Sequence, residues 1–174
     1  MKDVMIDFET LATTEKALVI QVAAAYFDRH TGNVGKTFKI NIDVSSYKDS
    51  GLNADIDPNI VLWWLNQSKA AQVSVIEDKE SDMFTSRSVY NVFNSLNDFL
   101  SEANNIWCHT TFDFKILQWY LNELGIVPTF KYYAARDLRT LLDLAEYDHR
   151  KHKFNGTKHT ALDDCLFQIS YVTE

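Results

Sequence analysis

The chain has 174 residues, a length that suits one domain with a sizeable buried core. Hydrophobic residues make up 46% and aromatic residues 13%, which excludes a disordered chain. The 17 Lys and Arg against 24 Asp and Glu leave a formal net charge of −7, which argues against a polycationic coat for nucleic acid but not against an enzyme whose metal site is built from carboxylates. In chain order, residues 4–8, 19–28 and 34–43 read as three strands. The last two form a hairpin across the turn cluster Asp28-Arg29-His30-Thr31-Gly32-Asn33, with Phe38, Ile40 and Ile42 on one face. Asp57-Pro58 starts a helix to Asn66, with Pro at its first position, and Ser68 opens a shorter one to Val75. Residues 77–88 are polar. Val89, Val92, Phe93, Leu96, Phe99 and Leu100 give residues 89–103 helical spacing. Ile106 to Cys108 reads as a buried strand. Thr110 or Thr111 then caps a helix from Phe112 to Leu124, ended by Gly125. Tyr132 to Ala135 is another short strand, Asp137 caps a helix from Leu138 to Tyr147, Asp148 to Lys158 is a polar, basic loop, and a last helix spans Thr160 to Val172. The order implies an α/β chain: a mixed sheet with helices on its faces, in a single domain over 1–174.

Apolar runs fall far short of the ~20 residues that span a bilayer, so no membrane segment is expected. The first apolar stretch contains Asp3 and Asp7, unlike a secretory signal. Cys108 and Cys165 are too few for a disulfide framework or a four-ligand zinc site; they read as core residues of a reduced, cytoplasmic protein.

Three acidic features stand out. Asp7-Phe8-Glu9-Thr10 ends the first strand, where residues i and i+2 share a side, so Asp7 and Glu9 aim at one point with Phe8 turned to the core. Two such carboxylates call for a divalent cation, unless the strand lies at an exposed edge. Thr111-Phe112-Asp113 follows a buried strand and puts Asp113 in the first turn of a helix, where it also suits the helix dipole. In Lys158-His159-Thr160-Ala161-Leu162-Asp163-Asp164, His159 and Asp164 would lie about 140° apart if both were helical. With Thr160 as cap, His159 instead sits on the preceding loop. Asp163 reads as a helix-dipole residue, and His159 beside Lys158 could simply be solvated.

Taken together, Asp7-Phe8-Glu9-Thr10, Phe112-Asp113 and His159-Thr160-Ala161-Leu162-Asp163-Asp164 resemble the three motifs of the DEDDh 3′–5′ exonucleases, a family of the ribonuclease H-like fold, over nearly the whole chain. Val61-Leu62-Trp63-Trp64-Leu65-Asn66-Gln67-Ser68 and Arg136-Asp137-Leu138-Arg139-Thr140 resemble the branch with phage exonuclease A, exonuclease VIII and the mycobacterial adenylate-tail exoribonuclease. Many members carry Asn shortly before the middle Asp; here that stretch is Cys108-His109-Thr110-Thr111, which puts a substrate contact in doubt but not the metal site.

The resemblance implies two Mg²⁺ or Mn²⁺ ions held by Asp7, Glu9, Asp113 and Asp164, with Asp7 bridging. His159 would be the general base for the attacking water, and the products nucleoside 5′-monophosphates. Two hard cations would assist both nucleophile and leaving 3′-oxygen, and a near-neutral imidazole suits the base. The substrate would be single-stranded RNA or DNA 3′ ends, with Thr10, Leu11, Trp63, Trp64, His109, Phe112, Arg136 and Lys158 as candidate contacts. Trp63 and Trp64 are adjacent on one helix and cannot both point into the core; the exposed one could stack on a base or meet a second subunit, so a homodimer is a further expectation. Asp137 reads as a cap, and a joint metal site of His109, His149 and His152 with His159 is rejected. Two rival readings fit less well. A haloacid dehalogenase-type phosphatase would want Asp where Glu9 stands and its final pair after a strand. A binding or dimerisation module without catalysis would not need all five site residues. Residues 131–158 hold seven Lys or Arg against four acids, a local basic stretch that could steer a phosphate backbone toward His159.

Overall fold

The computed structural model describes residues 1–76 and 87–174. Residues 77–86, most of the polar 77–88 stretch, lie outside the described residues. The strands are β1 (Asp3–Thr10), β2 (Val19–Phe27), β3 (Val34–Asn41), β4 (Asn105–Cys108) and β5 (Ala135–Asp137). They form one sheet in the order β3-β2-β1-β4-β5. β1 pairs antiparallel with β2 and parallel with β4, and β4 pairs parallel with β5. The α/β mixed sheet expected from the element order is therefore present.

Strand periodicity divides the core in two. Val4, Ile6 and Phe8 of β1 join Val22, Ala24 and Tyr26 of β2 on one face. There they meet Val92, Phe93 and Leu96 of α3 (Val89–Phe99) and Ile116, Leu117 and Tyr120 of α4 (Lys115–Glu123). Phe93 stacks on Tyr120 at 4.1 Å between ring centres, and the Tyr120 hydroxyl donates to Ala17 O at 2.9 Å, so the buried phenol is satisfied. Met5, Ala23, Ala25, Phe27 and Trp107 face the other way, under α5 (Leu138–Leu144) and α6 (Ala161–Val172). Ala23 and Ala25 are small enough for α6 to lie close, and Cys165 on α6 sits 3.7 Å from Met5 O. On this second face the next β1 positions after Met5 are Asp7 and Glu9. The face that is apolar under the middle of α6 becomes acidic at its N-terminal end.

Helices α1 (Pro58–Leu65) and α2 (Lys69–Ile76) close a third small cluster of Leu18, Ile20, Trp64 and Ala71. Asp57 caps α1, its carboxylate accepting from Asn59 N–H at 2.8 Å. Two expectations are corrected. Neither Thr110 nor Thr111 caps a helix at Phe112: residues Thr110–Phe114 form a widened π-type turn, and α4 begins only at Lys115. The Thr110 hydroxyl instead donates to Asp137 Oδ2 at 2.6 Å. The fifth strand lies at 135–137, not 132–135, because Ala134 N–H closes a turn onto Lys131 O at 2.9 Å and leaves Tyr132 and Tyr133 exposed. Among the described residues no helix is long and apolar enough to cross a membrane.

Candidate active site

The site lies where the C-terminal ends of β1 and β4 meet the N-terminus of α6. Asp7, Glu9 and Asp164 come together: one carboxylate oxygen of each lies within 4.8 Å of the others. Asp113 is buried on the π-type turn after β4, close enough to Asp7 to repel it, while its Oδ2 accepts from His109 N–H at 3.1 Å. The wide turn brings this carboxylate beside Asp7 across the parallel β1–β4 pair.

The electrostatics are those of like charges crowded out of water. Burial, and then Asp113, Glu9 and Asp164, raise Asp7 well above the ordinary carboxylate range. Burial and the Asp164 charge raise Glu9, and burial raises Asp113. Burial pushes Asp164 up to about 6, against the hydrogen bond from His159 N–H. The residues fit a divalent cation by a further observation: Glu9 Oε1 is buried without a hydrogen-bond partner. Such an oxygen is costly unless something positive meets it.

His159 stands on the loop before α6, as expected. Its N–H donates to Asp164 Oδ2 at 3.0 Å, and its ring lies edge-on to Trp63, 4.8 Å between centres. Burial and then the charge of Lys158 lower its pKa, which favours the neutral imidazole. Thr10, Trp63, Trp64 and Phe112 line one cleft of about 260 Å³ together with Glu9 and Phe8. The tryptophans divide their work. Trp64 is buried and donates from Nε1 to Thr10 O at 2.9 Å, whereas Trp63 is 41% exposed and faces His159.

Four other candidates stand elsewhere. Leu11 packs with Leu18, Ile20 and Trp64 behind the cleft. The Arg136 guanidinium donates to Tyr133 O and Ala135 O, so it is held by its own backbone. Lys158 is exposed, with Nζ 6.0 Å from the Phe154 ring, on the rim of a second cleft with Gln67, Ser68 and His159. His109 sits with its Nδ1 buried and unpartnered, and burial and then Arg139 lower its pKa to about 4.

Two residues escaped sequence reasoning. Gln168 donates from Nε2 to Asp7 Oδ1 at 2.9 Å; its spacing of four from Asp164 on one helix was the available signal. Gln21, paired with Glu9 across β1–β2, accepts from Ala161 N–H at 2.8 Å and fixes the start of α6 over the carboxylates.

Residues 2–174 match the family described as Rv2179c-like, the 3′-5′ exoribonuclease Rv2179c-like domain. A protein named exodeoxyribonuclease, of Enterobacteria phage T4, is 31% identical over 206 residues, covering 97% of this chain and 86% of its own. Among solved structures, cell-death related nuclease 4 (CRN-4) superposes with a TM-score of 0.51 at 15% identity, over 98% of this chain. The chain spans 62% of that protein's length, under two thirds. That likeness shows the ribonuclease H-like fold.

Proposed function

The chain belongs to the family of the Rv2179c-like 3′–5′ exoribonuclease domain and is a 3′–5′ exonuclease; on that premise we propose how it works and on what. It acts as one domain over 1–174, by the DEDDh chemistry, on 3′ ends of single-stranded RNA or DNA, with two Mg²⁺ or Mn²⁺ ions, and releases nucleoside 5′-monophosphates. The observation that carries this reading is the convergence of Asp7, Glu9 and Asp164 within 4.8 Å, next to a loop His bonded to one of them.

Asp7, Glu9 and Asp164, with Asp113 beside Asp7, would hold the ions; bound there, divalent cations stabilise charge on the phosphoryl oxygens and on the leaving 3′-oxygen. The neutral His159 imidazole takes the proton of the attacking water at a ring nitrogen. Water oxygen bonds to phosphorus as the bond from phosphorus to the 3′-oxygen breaks. Gln168 keeps Asp7 turned to the site. The cleft of Thr10, Trp63 and Phe112 takes the terminal nucleoside, whose base stacks on an aromatic face without regard to its identity. Two buried free thiols, Cys108 and Cys165, suit a reduced cytoplasmic setting. A homodimer is part of the reading, and light scattering reads its mass.

The family is named for ribonucleic acid and the phage relative for deoxyribonucleic acid, so the test runs both polymers in parallel. Each is 5′-labelled, single-stranded and incubated with Mn²⁺, with EDTA and Asp7→Ala as controls. A ladder shortening from the 3′ end, lost in both controls, is expected. No ladder on either polymer overturns the reading.

A further inference from the structure

The segment that carries His159 into α6 is held by two carboxylates, of which the proposed chemistry uses one. Asp164 accepts from His159 N–H. Its neighbour Asp163 accepts from Thr157 N–H at 2.7 Å, through Oδ2. An acid at the third position of a helix ordinarily reaches back to the N–H of the cap residue. Here the cap position is Thr160, whose side chain makes no cap bond and donates instead to Ser74 Oγ at 3.0 Å. Asp163 reaches past the cap to Thr157. Its hydrogen bond therefore shapes the loop and adds nothing to the helix ladder.

The loop needs shaping. His159 has φ 63°, in the left-handed region that a side chain with a Cβ enters only at a cost, and such a conformation persists when its surroundings fix it. Gly156, at φ 118°, lies against Asp163 so closely that a Cβ there would sit 2.7 Å from the carboxylate carbon and Oδ2. The carboxylate thus grips the loop at Gly156 and Thr157, three and two residues before His159. On the far side the imidazole leans edge-on against Trp63.

We propose that Asp163 is a positioning residue: by binding the Gly156–Thr157 backbone it holds His159 in its left-handed conformation, with the imidazole against Trp63 at the side of the carboxylates that Thr157 and Asp164 flank. This rests on the reading of His159 as general base, and it gives Asp163 a role distinct from that of a helix-dipole residue.

The test is a double-mutant cycle, with kcat and KM measured at saturating Mn²⁺ on a 5′-labelled single strand. Asp163→Ala should lower kcat by up to about 100-fold, the scale of a misplaced catalytic group, with little change in KM. Asp163→Asn, whose amide oxygen still accepts from Thr157 N–H, should recover most of it. In the His159→Ala background Asp163→Ala should cost nothing further, and the rise in Tm on adding Mn²⁺ should match the parent's. The proposal is overturned if Asp163→Ala keeps full kcat, if it costs as much without His159 as with it, or if the Mn²⁺ response is lost. His159→Ala with full kcat would instead sink the general-base reading on which the proposal stands. Gly156→Ala supplies a second variant and should reproduce the kcat loss from the other partner of the contact.

Discussion

At the scale of single residues, the site is a set of carboxylates that folding makes uncomfortable. Asp7, Glu9, Asp113 and Asp164 are all raised, burial being the largest cause for each. An acid raised on folding contributes stability that is complete below its unfolded pKa and is lost as pH rises through the folded value. The metal-free protein should therefore lose Tm from about pH 4 upward, through pH 6 where Asp164 titrates and beyond. Thermal scans in EDTA read that fall, and Mn²⁺ should raise Tm far more at pH 8 than at pH 5. A Tm in EDTA that does not fall over this range would contradict the crowding. Asp7→Asn removes one of the charges and keeps an acceptor for Gln168. It should raise Tm in EDTA by roughly 2–4 °C, equivalent to about 1 kcal/mol at this chain length, while exonuclease activity falls. Asp7 and Glu9 were legible in the sequence because strand alternation alone puts them on one side. Gln168 and Asp163 were not, because their partners, Asp7 and Thr157, are set by how α6 lies on the sheet and how the loop before it turns.

At the scale of elements, most helices and strands could be read from apolar spacing, and the failures share a cause. After β4 the sequence suggests a capped helix because Thr110 and Thr111 are ordinary cap residues. Asp137, 27 positions on, takes the Thr110 N–H and hydroxyl, and also the N–H and hydroxyl of Thr140. Burial acts to raise this carboxyl, but those hydrogen bonds hold it well below the usual range. One side chain thus caps α5 and ties it to the turn that carries Asp113. Asp137→Ala should cost about 1–2 kcal/mol, the range for a lost cap, and lower Mn²⁺ affinity through the loosened turn; denaturant melts and Mn²⁺ titration read the two effects. Unchanged stability would show that the cap contributes little. The paired tryptophans of α1 make an opposed prediction. Trp64→Ala empties a buried site and its bond to Thr10 O, and should destabilise by about 3–5 kcal/mol. Trp63→Ala should leave the melt nearly unmoved and raise KM, since its ring is half out in the cleft.

At the scale of the molecule, the net charge of −7 is a sum over unlike parts. Parallel pairing of β1 with β4 sets Asp7, Glu9 and Asp113 at the C-terminal end of the central strands, and α6 brings Asp164 over it. The basic stretch 131–158 leads toward the same end of the sheet. Within it Arg136 is held by its own backbone and Arg150 pairs with Asp148, which leaves Lys131, Arg139, Lys151, Lys153 and Lys158 as the groups expected to steer a phosphate backbone. Replacing Lys151 and Lys153 together by Ala should raise KM and flatten its salt dependence with kcat unchanged. A fall in kcat alone would place these lysines in the chemistry instead. Hydrolysis of a strand from its 3′ end, by attack of water at these carboxylates, can be read by running the Mn²⁺-loaded enzyme in heavy-oxygen water on a 5′-labelled single strand and weighing the products. Nucleoside 5′-monophosphates should be released in order from the 3′ end, each with one heavy oxygen on its phosphate, with no release in EDTA. Nucleoside 3′-phosphates, release from the 5′ end, or equal activity in EDTA would contradict it.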